Sequence, residues 1–165
     1  MKKLKYKIYI SIMTPYSNTT NEIYIAHWEH TKWLVLSSCF FIIPAMYAFI
    51  NKLYGHFILL FFTSLISANY WRKATYSWRR KLDLIFAKIS FVVFFSNGIV
   101  YVRTLHYVIP GYTGLLALLY CYYLSGKLFK LKDNNWYKYH CIFHFIMTYE
   151  QMIIIDSLLN NRRLK

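Results

Sequence analysis

The sequence predicts an all-α fold, a polytopic bundle of transmembrane helices. Three observations carry that expectation. The 165-residue chain is 58% hydrophobic and 21% aromatic but only 16% charged, whereas soluble domains carry about a quarter charged residues. Its apolar residues fall in long blocks rather than alternating with polar ones. Its basic residues collect between the blocks, as they do in the cytoplasmic loops of membrane proteins. Three segments follow: a cytoplasmic N-terminal segment (1–31), a transmembrane helical domain (32–158) and a basic C-terminal tail (159–165).

Five spans are expected in order. The first runs from about Trp33 to Ile50, with Lys32 and Trp33 as its interfacial anchor. Pro44 within it predicts a kink, tolerable where neighbouring helices satisfy the freed carbonyl. A tight turn at Asn51-Lys52 leads to the second, about Tyr54 to Trp71. The third starts near Leu82 and continues through Asn97-Gly98 to about Val102. After Arg103 and His106, Pro110-Gly111 opens the fourth, which closes near Leu124. The fifth runs from about Trp136 to Leu158.

Charge sets the orientation. With the N-terminus inside, residues 1–32, 72–81 and 127–138 are cytoplasmic and hold 14 basic residues, against 5 outside. A six-span alternative makes Asn97-Gly98 a turn; it brings the basic tail inside but sends the 127–138 loop out. The partners expected are membrane lipid and, at the basic loops, anionic lipid headgroups. The formal net charge of +14 does not point to nucleic acid, because no recognition module surrounds these charges.

Other features are quieter. Cys39, Cys121 and Cys141 lie within apolar blocks without paired spacing and are expected as buried thiols. The start Met-Lys-Lys-Leu-Lys-Tyr-Lys is charged like a signal n-region, but the following run, Ile8 to Met13, is too short for an h-region. The sequon Asn18-Thr19-Thr20 is silent if that segment is cytoplasmic.

Chemistry concentrates in the last block. His140 and His144 stand one helical turn apart, on one face. Ionisable side chains within a bilayer face a protein interior or a cavity and often mark a working site. Two imidazoles and the carboxylate of Asp83 make a zinc set with a fourth position open for water. Met147 and Gln151 continue the same face inward. The structural reading is interhelical hydrogen bonding by the histidines, with Asp83 capping its helix or pairing with Arg79 or Arg80.

The arrangement Ser67-x3-Trp71, Lys81-Leu82-Asp83-x3-Ala87 and His140-x3-His144-Phe145 resembles the alkaline ceramidase, progestin/adiponectin receptor and Per1-like superfamily. That resemblance implies a seven-helix membrane fold and zinc-dependent hydrolysis of lipid amide or ester bonds. It implies His140 and His144 as zinc ligands, with Asp83 and Ser67 assisting the water and the developing oxyanion. Two departures stand out. Trp71 occupies the place of the third zinc-binding histidine, and an indole cannot ligate zinc. The chain is also about two helices short. His56 cannot substitute, lying eleven residues before Ser67, or ~16 Å along a helix.

Glu150, deep in the last span, is a candidate for a proton or ion pathway that Lys88 or Arg103 could neutralise. Lys88 is expected to snorkel or meet a carboxylate. Asp156 is expected to be solvated. His27, Glu29 and His30 form an interfacial cluster, with a second metal site the sharper reading. Three function classes stay open: a zinc-dependent lipid hydrolase, a non-catalytic lipid-binding or scaffolding membrane protein, and a small transporter or channel. No inverted repeat supports the last.

Overall fold

The computed structural model describes residues 24–163; the sequon, the lysine-rich start and Lys165 lie outside them. The fold is all-helical. Five long helices follow one another: α1 (Trp28–Ile50), α2 (Tyr54–Arg72), α3 (Trp78–Tyr101), α4 (Leu105–Lys130) and α5 (Trp136–Arg163). Four of them, α1, α3, α4 and α5, are long and apolar enough to cross a membrane, which makes the chain a multi-pass integral membrane protein. α2 falls short of that measure because Thr63, Ser64, Ser67 and Asn69 interrupt its apolar run.

The proline in α1 has a local effect. Pro44 lacks an N–H and its ring crowds the carbonyl four residues back, that of Phe40. The helix tightens there into a 3-10 turn over Cys39–Phe41 and resumes at Ile42. The bend just before Pro44 is thus a change of pitch. The Asn51-Lys52 turn forms as expected, with Lys52 at φ 60°.

Several boundaries differ from the sequence reading, among them the start of α3, at Trp78 rather than Leu82, and the end of α4, at Lys130 rather than Leu124. α1 begins at Trp28, so its first turn takes in His27 as N-cap residue and Glu29. α4 begins at Leu105, so Pro110 lies inside the helix, where its missing N–H leaves the His106 carbonyl without its usual intrahelical donor. α5 continues to Arg163, more than one turn into the basic tail. The helix of α3 runs uninterrupted through Asn97 and Gly98, so no turn forms at the place the six-span alternative requires.

Packing gives a ring of four with one helix outside. α1 packs on α2 and α5, α2 on α3, and α3 on α5; α4 leans on α5. The central element is α5, with 56% of its most apolar window buried against 11% for α3. One apolar core joins Ala45, Ala48, Leu60, Phe94, Ile155 and Leu158. A second, at the opposite end, joins Leu34, Tyr70, Trp71, Ala74 and Trp136. The stretch before α1 is tied to the α2–α3 connection by Ile25 N–H donating to Ala74 O at 2.7 Å.

Small polar residues tie the ring together. Ser64 Oγ donates to Ser38 O at 2.9 Å, and Thr63 Oγ1 and Ser90 Oγ lie 2.8 Å apart, so α2's hydroxyls are satisfied by its neighbours. Asp156 is not merely solvated. It accepts from Tyr47 of α1 at 2.8 Å and from Tyr107 of α4 at 2.5 Å. Ser157 and Asn161 both donate to the Tyr101 carbonyl at the end of α3.

Candidate functional site

Antiparallel neighbours bring the end of α2, the starts of α3 and α5, and the end of α4 to one end of the bundle. Ser67, Trp71, Asp83, His140 and His144 meet there. The imidazoles of His140 and His144 have ring centroids 4.9 Å apart, as the spacing of four requires. His144 is buried, its Nδ1 2.8 Å from Ser37 Oγ of α1. His140 is half-buried, with Nδ1 3.3 Å from Ser125 Oγ of α4. Each histidine therefore binds its helix to a different neighbour.

Ser67 is buried and accepts from Ser38 Oγ at 3.1 Å. Asp83 turns its carboxylate toward Ser67, not toward Arg79 or Arg80. Those arginines lie over the rings of Trp78 and Tyr76. Trp71 is buried edge-on to His140, at 5.1 Å between centroids, and packs on Trp136 at 6.0 Å. Its Nε1–H is buried without a partner.

Zinc hydrolysis sets a geometric requirement on such a set. The chemistry needs three protein ligands around one point. Among the described residues, no three His, Cys, Asp or Glu side chains gather closely enough to hold a metal ion. The set of His140, His144 and Asp83 is thus not assembled: Asp83 faces Ser67, and Trp71 packs against His140. At the start of α1, Glu29 pairs instead with Lys32 at 2.6 Å, and His30 stacks on Tyr137 at 4.8 Å. His56 is engaged by Asn97 at 2.8 Å.

A second feature lies at the level of Glu150. α3 and α4 are neighbours in sequence but make almost no contact with each other. The space between them is a groove with α5 as its floor. Phe91, Phe94, Phe95 and Ile99 form one wall, and Tyr112, Leu115 and Leu118 the other. Glu150 and Gln151 line the floor. Gln151 is buried with both Oε1 and Nε2 unpaired, and Glu150 is buried with Oε1 unpaired. No ion pair reaches Glu150 among the described residues; Lys88 is exposed on α3, and Arg103 Nε donates to Val100 O.

Glycine makes room for that carboxyl. A Cβ on Gly114 would overlap Glu150 Oε1, and one on Gly111 would stand 3.9 Å from Oε2. Sequence reasoning placed Met147 and Gln151 on the inward face, and Met147 also lines the groove. It missed Ser37, Ser38 and Ser125 as partners of the histidine cluster, and Gly111-x2-Gly114 as a cradle. The only signal for the latter was two small residues three apart, the kind of spacing that lets helices approach closely.

Comparison with family models, with curated proteins and with solved structures finds no match.

Proposed function

We propose that this chain is a five-span membrane protein that binds a lipid within the bilayer and does not hydrolyse it. The observation that supports the reading is the groove between α3 and α4. It opens sideways toward lipid, is walled by apolar side chains and has buried, unpartnered polar groups on its floor. Ligand sites are typically concave and mostly apolar, with a few fixed polar groups. The histidine cluster argues against hydrolysis. One nitrogen of each imidazole, Nδ1, is engaged with a serine on a neighbouring helix, and an indole packs against His140 in the third ligand's place. In this reading the cluster is an interhelical lock. α2 crosses as the fifth span because the ring satisfies its hydroxyls internally, the condition for burying polar groups in lipid. The N-terminus and the 72–81 and 127–138 loops are cytoplasmic, against anionic headgroups.

The test is joint analysis of metal and lipid in protein purified from membranes without chelator. Expected are zinc far below stoichiometric and lipid retained through washing. Stoichiometric zinc that disappears in a His140→Ala, His144→Ala variant would establish the hydrolase reading instead.

A further inference from the structure

We infer that the α3–α4 groove holds one acyl chain of an anionic glycerophospholipid whose phosphate meets Lys88, between Lys81 and Lys130. The inference rests on the lipid-binding reading and names the lipid class.

The observation that carries it is a lysine on the lipid face of a span. Lys88 is exposed, three residues before Phe91 and seven before Phe95. That spacing puts it on the stripe of α3 that walls the groove. Its depth follows from the register of α3 on α5, which run in the same direction. Gly98 stands against Ile154, so Lys88, ten residues earlier, is level with His144. Glu150 lies fourteen residues after Trp136 and twelve before Arg162, ~21 Å and ~18 Å along α5. It is close to the middle of a hydrocarbon core about 30 Å thick. Lys88 is therefore ~9 Å from the mid-plane, inside the hydrocarbon yet near enough to its edge for the ammonium to snorkel out.

An ammonium at that depth needs a counter-ion, and the protein does not supply it. No ion pair reaches Lys88, Lys81 or Lys130 among the described residues. Asp83 turns toward Ser67, and Asp133 accepts from the Asn135 N–H at 2.8 Å in the turn before α5. Helical spacing brings the other two lysines to the same opening. Lys81 precedes Ile99 by eighteen residues, and Lys130 follows Tyr112 by eighteen. Each interval is five full turns, so both lysines share the stripe of a groove-lining residue. Both are exposed, one at the start of α3 and one at the end of α4. Lys127 differs, lying over the Tyr123 ring at 6.0 Å. Three cations around one opening favour a headgroup of net negative charge. A zwitterionic headgroup would bring a fourth cation beside them.

From that opening the groove continues in carbon. Residues 91–102 of α3 cover ~17 Å, about the hydrocarbon depth of one leaflet. Phe95, Ile99, Leu115 and Leu118 wall the groove, and Met147 and Ile153 line it from α5. The Gln151 amide atoms and Glu150 Oε1 are buried and take no part. An acyl chain whose phosphate is held at Lys88 thus runs the length of the groove.

The experiment places full-length protein in nanodiscs of phosphatidylcholine with a minor share of phosphatidylglycerol. Lipid that stays bound after release from the disc is identified by native mass spectrometry. Phosphatidylglycerol is expected to be enriched about fivefold over its share of the disc. Lys88→Gln should bring that enrichment down to near the disc's own proportion. Lys127→Gln, which removes the same charge at the same end but off the stripe, should leave it nearly unchanged. Circular dichroism confirms that both variants fold. Wild-type protein gives a reading that needs no variant: phosphatidylglycerol with a photoreactive group at the end of one chain should label residues 91–102 and 111–118. Label spread over all helices, equal losses in the two variants, or undiminished enrichment in a folded Lys88→Gln would each overturn the inference. Phospholipid bound in the disc's own proportions overturns it and leaves the lipid-binding reading standing. No bound lipid of any kind overturns both.

Discussion

His144 shows how one buried side chain settles between chemistry and structure. Its Nδ1 is 2.8 Å from Ser37 Oγ, its ring lies 5.2 Å from that of Phe41, and it is 3% exposed. Replacement by alanine removes a buried hydrogen bond and leaves a cavity, so His144→Ala should lose about 2–4 kcal/mol of stability. Ser125→Ala, at the longer and more exposed His140 contact, should lose less than about 1 kcal/mol. Equal losses in a denaturation assay would contradict the lock. Gly114 gives a second case. A methyl there collides with Glu150 Oε1, so Gly114→Ala should cost about 1–3 kcal/mol. Adding Glu150→Ala should recover most of that cost, a coupling that a double-mutant cycle measures. The histidine pair and its neighbours Ser67 and Asp83 were legible in sequence, since spacing of four and helix order fix them to one end. The serines that engage the histidines were not. Ser37, Ser38 and Ser125 differ from other apolar-block serines only in which helix packs opposite, and that is a tertiary fact.

At the scale of elements, the five blocks read from hydropathy correspond to five helices, while their ends moved. Hydropathy falls off before the helix does, so α1 starts at Trp28, α4 at Leu105, and α5 runs on to Arg163. Backbone hydrogen bonding continues past the apolar stretch. Pro44 acted through the turn before it, because the lost N–H and the crowded carbonyl lie one turn back. Least legible was the position of α4, which leans on α5 and leaves α3 alone. Asp156 fixes its start, accepting from Tyr107 of α4 and Tyr47 of α1. Tyr107→Phe should cost about 1 kcal/mol, the low end for a partly exposed bond to a carboxylate. It should also raise hydrogen exchange selectively at the start of α4, measured by mass spectrometry in micelles. An unchanged exchange pattern there would show that α5 packing alone holds α4.

For the molecule as a whole, charge and packing work at different levels. In the proposed five-span topology the basic loops orient the chain, with 14 positive residues on one side and 5 on the other. An acceptor sequon placed after Lys165 should therefore be glycosylated, whereas an unmodified reporter beside a working control would favour an even number of spans. The ring of four leaves α4 as a partial outer wall, and the groove follows from that asymmetry. Filling it should displace its occupant without disturbing the rest, since Leu115 lines the wall of α4. Native mass spectrometry of protein extracted from membranes, comparing wild type with Leu115→Trp, tests the central claim most directly. The account predicts a wild-type chain carrying a lipid-mass adduct that Leu115→Trp loses while remaining folded. Wild-type and variant chains that emerge equally bare, or equally loaded, would contradict it.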